Sequence, residues 1–337
     1  MIKLPDNLLH VSEQFWPQPG MVSTPVVPDA LDITIVTAFF DLGRGSWKVK
    51  GAKPSPWQRT NSDYLNYFSH LAQLKNAMVI FTSPDIAPQV LQLRKQAGLE
   101  NATVIFTIGN LFEEPLLARL IAEVASKMTD AFRASLRAPL SPEYNFPNYV
   151  VLDALKSVFV MTAIAAQSIS SRQAAWLDFG YCRDEKCFDK NLPWQFDTGG
   201  LMHIFHMRPL DDLPVFKVVQ RGTVYFQGGC KIGPVVAWAD FARDIDSSLA
   251  ALLAADMVDD EQTLVLMAWR KNPRRFKIHP MDKSDWRVAI RQYTREKSGE
   301  KVAFTDYRWV ARIEELWLVR MLRRAAIAAI RKLDILV

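Results

Sequence analysis

Cysteine is scarce in this chain: Cys182, Cys187 and Cys230 are the only three in 337 residues. They form no CxxC pair and no Cys/His zinc spacing, and an odd count without a secretory leader reads as reduced thiols in a cytosolic protein. Residues Met1 to Gly20 lack a basic start followed by an apolar run, so no signal peptide is expected. The longest apolar stretch, around Val158 to Ala166, is too short to span a bilayer. No low-complexity tract or repeat is evident. The glycine fingerprint of dinucleotide-binding enzymes is missing, which makes a nucleotide-dependent dehydrogenase a poor fit. Nucleic acid is an unsuitable partner, because the positive charge is dispersed and no aromatic-basic recognition motif stands out.

What remains is a chain of ordinary globular composition, 49% hydrophobic and 23% charged, long enough to bury a large core. A net charge of +5 suits an anionic partner, but the excess is too modest to choose among nucleotide, phosphorylated glycan, lipid surface and nucleic acid. Prolines 5, 17, 19, 25 and 28 mark residues 1–32 as an arm on the main domain. A domain over 33–286 follows. It opens with the strand-like run Ile33 to Phe40, then helix Asn61–Leu74, strand Ala77–Thr82, helix Ile86–Gln96 and strand Thr103–Ile108. Helical stretches over about 115–137 and 149–169 lead to a strand at 174–179. Strand and helix in alternation predict an α/β fold, a mostly parallel open sheet flanked by helices. Further on, strands are expected at Lys217–Gln227 and Phe276–His279, and helices near 235–255 and 260–271. Residues 287–337 form a basic helical segment. Over 305–337 its arginines accompany Trp317, Met321, Leu322, Ile327 and Ile330, a pattern that suits either packing on its own domain or an anionic membrane surface.

Polar clusters fall where strands end. Asp41-Leu42-Gly43-Arg44-Gly45-Ser46-Trp47 sets two glycines around an arginine, so an anion can approach backbone and guanidinium, unless this is a plain surface loop. Asp178 ends a buried strand, where a carboxylate is expensive to desolvate without a positive partner. A divalent metal carrying a nucleotide diphosphate fits there, and so does a turn cap, since Asp-x-Gly is turn chemistry. Gly228 and Gly229 let a bulky ligand touch backbone, with Lys231 beside them for phosphate, or else they form a bulge. Asp259-Asp260-Glu261-Gln262 opens a helix. Acidic residues cap helix starts, but three carboxylates exceed that need, so one can serve as base or hydroxyl acceptor. His279 ends a strand with Lys283 and Trp286 beyond, placed either for structure or for metal or phosphate.

The stretches Ile35 to Gly45, Trp176-Leu177-Asp178-Phe179-Gly180-Tyr181, Gln227-Gly228-Gly229 and Asp259-Asp260-Glu261-Gln262 resemble the HtrL/YibB family, a poorly characterised group whose genes can lie among lipopolysaccharide-core genes. The family looks like GT-A-type glycosyltransferases, in which a nucleotide sugar lies across a parallel sheet. That resemblance implies that strand one (Thr37, Phe39) and Arg44 face the base and diphosphate. Gly228 and Gly229 flank the sugar with Lys231 near phosphate, and Asp260 or Glu261 touches donor or acceptor hydroxyls as the catalytic group. Asp178 takes the place of the metal-binding DxD carboxylate. Trp176 and Gly180 depart from that motif, so either His279 completes a Mn or Mg site or metal binding is weak or absent. The expected activity is transfer from a nucleotide-diphosphate sugar to a glycan or lipid-linked acceptor, such as lipopolysaccharide core or another surface glycan. The expected place is the cytoplasm, including peripheral contact with the inner membrane through the C-terminal helix. The alternative is a non-catalytic carbohydrate- or lipid-associated binding protein on the same scaffold.

Overall fold

The computed structural model describes residues 18–21, 32–47, 57–281, 287 and 289–293. Its strands are β1 (Gln18–Met21), β2 (Ile33–Phe39), β3 (Met78–Thr82), β4 (Thr103–Thr107), β5 (Gln173–Leu177), β6 (Met202–His206), β7 (Cys230–Pro234) and β8 (Phe276–Pro280). Its helices are α1 (Asn61–Leu71), α2 (Ala87–Gln96), α3 (Pro115–Lys127), α4 (Asp130–Ser135), α5 (Pro147–Ala154), α6 (Lys156–Ala165), α7 (Val215–Arg221), α8 (Trp238–Ala254), α9 (Glu261–Lys271) and α10 (Ala289–Gln292).

All eight strands join one sheet in the order β1-β4-β3-β2-β5-β7-β6-β8. The parallel pairs are β2 with β3, β2 with β5, β3 with β4, and β6 with β8, while β1 and β7 run against their neighbours. The mostly parallel α/β sheet expected from the alternation of elements is therefore present. β2, β3 and β5 are near-continuous apolar runs because helices cover both sides. One face carries Val36, Phe81, Phe106 and Trp176 against α3, α5, α6, α8 and α9. The other carries Ile35, Phe39, Ile80 and Leu177 against α1, α2 and the loop from Cys187 to Phe196. Arg94 is wholly buried under that second face and donates to Ala72 O, Leu74 O, Asn76 O and Thr103 Oγ1, tying the ends of three elements together.

Several details differ from the sequence reading. Residues 217–227 are not a strand: α7 starts after Pro214 and stops at Gly222, whose φ of 59° is left-handed. Its β-branched residues favour strands only weakly against those end signals, and Val218 and Val219 bury one helical face. The glycine pair precedes strand β7 instead of ending a strand. Residues 18–21, assigned to the arm, form edge strand β1, antiparallel to β4. The boundary at 286 also cuts packed structure, since Ala289, Ile290 and Tyr293 are buried in the second core. The thiols differ from the expected reduced state as well. Cys182 and Cys187 form a disulfide and Cys230 alone is a free, buried cysteine, so the count no longer argues for a reducing compartment. No single helix among the described residues is long and apolar enough to cross a membrane. The expected 305–337 helix, Lys283 and Trp286 lie outside the described residues.

Candidate functional site

The carboxyl ends of β2 and β5, the start of β7 and the start of α9 meet at one edge of the sheet. Asp178, the first residue after β5, turns to the same face as Trp176, whose indole Nε1 donates to Asp178 Oδ1 at 2.8 Å. The Asp178 amide donates to Gly229 O at 2.9 Å, which clips the end of β5 to the start of β7. A Cβ on Gly229 would lie 3.1 Å from Asp178 Oδ2, and one on Gly228 would lie 3.3 Å from Glu261 Oε2. Both glycines are therefore required by close approach: they let the chain pass between two carboxylates.

The cation in this arrangement is Lys156, at the start of α6. Its ammonium lies 2.9 Å from Asp178 Oδ1, 2.7 Å from Glu261 Oε2 and 3.1 Å from Asp153 Oδ1. Lys231 binds the other oxygen of Glu261 and donates to Gly228 O at 2.6 Å. Burial opposes ionisation of Asp178, but Lys156, Lys231 and the Trp176 indole outweigh it and hold its carboxyl below the ordinary value. Its side chain remains 35% exposed, and Oδ2 makes no hydrogen bond or ion pair among the described residues. One oxygen is fixed and the other is open.

A second acidic group adjoins the first. Asp260 caps α9, its Oδ1 accepting from Gln262 N at 3.0 Å. Asp259 Oδ1 accepts from Tyr144 Oη at 3.1 Å and its Oδ2 from Thr263 Oγ1 at 2.7 Å. Burial, then the charges of Asp259, Glu143 and Asp153, push Asp260 well above the usual carboxylate range. Burial and Asp259 push Glu143 up to about 8. Like charges crowded at low dielectric retain protons, so this group can donate or accept one near neutral pH.

On the β2 side, Gly43 takes a left-handed φ of 68° and brings Arg44 back over the edge. The Arg44 guanidinium donates to Tyr64 Oη at 2.5 Å and Trp57 O at 3.2 Å, and lies over Trp47 at 4.7 Å and Tyr149 at 5.8 Å. Tyr149 lies between the two halves: its ring is 5.8 Å from Arg44, and burial, then the charges of Asp153, Asp260 and Glu143, push its hydroxyl well above the usual value.

Residues 31–295 match the family described as "Bacterial protein of unknown function (HtrL_YibB)". The chain belongs to the HtrL/YibB family. Protein HtrL of Escherichia coli (strain K12) is 30% identical over 274 residues, which cover 80% of this chain and 95% of that one. Among solved structures, PaToxG Glycosyltransferase aligns with 79% of this chain and 75% of its own at 8% identity and a TM-score of 0.30, too low to carry an argument.

In this HtrL/YibB protein the edge unites Asp178, Gly228, Gly229, Asp260, Glu261 and Arg44, but not every expected residue serves as supposed. Thr37 is fully buried on the same face as Ile35 and Phe39 and reaches no ligand position. Phe39 stacks on Phe179 at 4.9 Å and meets Tyr64 at a tilt at 5.0 Å, so it is packing. Lys231 is 1% exposed and saturated by Glu261 and Gly228 O, which takes it away from any phosphate. Glu261, 3% exposed between two ammonium groups, is badly placed as a base.

His279 is separated from Asp178. Register runs Leu177 to Cys230, Ile232 to His203 and Phe205 to His279, so His279 lies three strands from the end of β5, about 14 Å at the usual strand spacing. It also lies on the opposite face, stacked on Phe205 and tilted against Tyr293, with Nε2 2.7 Å from His203 Nδ1. The pair does not fit a shared divalent ion. Among the described residues no group of three His, Cys, Asp or Glu has metal-holding geometry, and Asp178 Oδ1 already faces an ammonium.

Lys156, Asp153, Glu143 and Tyr149 were missed. The available signal was Asp153 and Lys156 three apart inside an otherwise apolar helical run, a pair without reason in a core helix unless it faces partners.

Proposed function

We propose that this protein is a glycosyltransferase using a nucleotide-diphosphate sugar donor and acting on a surface glycan. One observation carries the reading: four segments distant in sequence meet at the carboxyl edge of a mostly parallel sheet, where ligands of such sheets bind. There they combine an open carboxylate oxygen on Asp178, a proton-holding carboxylate on Asp260 and an arginine in an aromatic clamp. Asp178 Oδ2 accepts a hydrogen bond from a donor sugar hydroxyl, oriented by Lys156 and Trp176 through the other oxygen. In its ionised form Asp260, made the stronger base by its raised proton affinity, takes the proton of the acceptor hydroxyl as that oxygen attacks the anomeric carbon and the nucleoside diphosphate leaves. Arg44 faces the leaving charge. No step is assigned to a metal, because Asp178 and His279 do not meet.

The test is release of nucleotide diphosphate from a panel of UDP- and GDP-sugars, with and without Mn²⁺, in the presence of a glycan acceptor. Turnover is expected for at least one donor and is lost in Asp260→Asn. A protein that releases no nucleotide from any donor contradicts the proposal. A second reading, carbohydrate binding without turnover, is favoured by the ion pairing of Asp178 and Glu261 to Lys156, and glycan binding without donor turnover would select it.

A further inference from the structure

The same edge carries three arginines, Arg44, Arg59 and Arg183, that form no ion pair among the described residues, although the charge of Arg59 is felt by Asp63. Arg44 lies over Tyr64 at 5.7 Å, Arg183 lies over Tyr67 at 3.8 Å, and the two tyrosines meet edge to face at 6.2 Å. Arg59 adjoins them: its backbone amide donates to Arg44 O at 3.4 Å, and the charge of its side chain acts on Arg183. Among the described residues no carboxylate forms an ion pair with any of the three. The nearby acids are committed elsewhere: Asp63 to the α1 capping box with Thr60, and Asp41 to Gly43 N and Asn61. The Arg44 Nε is buried without a partner. Burial and then the charge of Arg59 hold Arg183 below its ordinary value, although its hydrogen bond with Tyr67 acts the other way.

Position ties this group to the site. A Cβ on Gly180, two residues after Asp178, would lie 3.3 Å from Tyr64 and 3.5 Å from Tyr67, so the loop leaving β5 packs directly on the tyrosine pair. The edge is thus polar end to end in charge. Lys156 and Lys231 are saturated by carboxylates on the α9 side, where added negative charge is repelled. The guanidinium groups on the α1 side are held by tyrosines and a carbonyl and have no carboxylate partner among the described residues.

We infer that Arg44, Arg59 and Arg183, framed by Tyr64 and Tyr67, form a diphosphate-binding subsite that sets the direction in which a ligand lies along this edge. Guanidinium forks match phosphate oxygens bidentately, and a diphosphate carries enough negative charge to answer several cations. Its uncharged end then falls beside Asp178 and Asp260. The inference rests on the transferase reading for the identity of that uncharged end, but the subsite itself does not.

The experiment titrates the full-length protein with inorganic pyrophosphate, UDP and GDP by calorimetry, in wild type, in Arg59→Gln/Arg183→Gln and in Arg183→Lys. Saturable pyrophosphate binding is expected in wild type. It should weaken roughly tenfold or more in the double variant, and less in Arg183→Lys, at an unchanged thermal midpoint. Tighter binding of UDP or GDP than of pyrophosphate assigns a nucleotide as the source of the diphosphate; equal affinity assigns the diphosphate alone as what is read. No saturable binding in wild type, or equal affinity in wild type and double variant, overturns the subsite. The two proposals fail separately. Pyrophosphate binding lost in the variant, in a protein that turns over no sugar donor, leaves the subsite and removes the transferase. Undiminished donor turnover in the double variant does the reverse.

Discussion

Lys156 Nζ lies 2.9 Å from Asp178 Oδ1, joining the start of a core helix to the end of a core strand. The same ammonium meets Asp153 and Glu261, so one cation answers three carboxylates. Removing one member of a buried ion group leaves the others uncompensated. Lys156→Ala is therefore expected to lower stability by about 3–5 kcal/mol, read by chemical denaturation. An unchanged denaturation midpoint would mean the carboxylates are solvated in some other way.

Gly229 tests the approach of β7 to that pair. A Cβ there would lie 3.1 Å from Asp178 Oδ2 and 3.2 Å from Tyr181 Cδ2, so Gly229→Ala must displace one of them. A cost of about 1–3 kcal/mol is expected, together with weaker ligand binding wherever Asp178 contributes. Wild-type stability and binding in this variant would show that the neighbourhood yields freely.

Stability should decline on both sides of a mildly acidic optimum, through different residues. Burial, then His203 and Lys277, lower His279 from 6.5 to about 3. Between those values the unfolded chain takes up a proton that the folded protein refuses, so stability falls as pH falls. Glu143 acts in the other direction. Its carboxyl moves from 4.5 in the unfolded chain to about 8, so the unfolded chain ionises first and stability falls as pH rises. Thermal midpoints across pH should fall less steeply on the acid side in His279→Phe, where His203 and Asp178 still contribute, and less steeply on the alkaline side in Glu143→Gln, where Asp259 and Asp260 still contribute. A limb of unchanged steepness in its own variant has another origin.

The disulfide gives a count. Denatured without reductant, the protein should show one reactive thiol, Cys230, and three after reduction. Closing so short a loop stabilises by about 2 kcal/mol on the chain-entropy account, and Cys182→Ser should cost about that. Three thiols before reduction would show that the bridge does not form. Because Arg183 sits inside the closed loop, the same variant is expected to weaken pyrophosphate binding.

Much of the fold is legible because its signals are local. The β-branched run Ile33 to Phe39 can only be a strand buried on both faces, and the Thr60/Asp63 capping box fixes where α1 begins. The run Lys217 to Gln227 misleads because β-branching is a weak preference, whereas Pro214 and Gly222 decide the helix over Val215–Arg221. β6 and β7 were overlooked for a related reason. Met202–His206 alternates no clear polar side, and Cys230–Pro234 contains a glycine and a proline, so neither reads as a strand until its neighbours pair with it.

By itself, the order of residues determined that Asp178, the Gly228–Gly229 pair, Asp260 and Arg44 would stand at element ends, since turn chemistry and periodicity are written over a few neighbouring positions. Only the tertiary structure decided which of them keep free atoms. Charge pairing acts across strands and helices at a few ångströms, so Lys156, far from each partner along the chain, leaves one oxygen of Asp178 open while it closes Glu261. Sheet register alone carried His279 to the opposite face, because side chains alternate along a strand and strand order is set by long-range pairing.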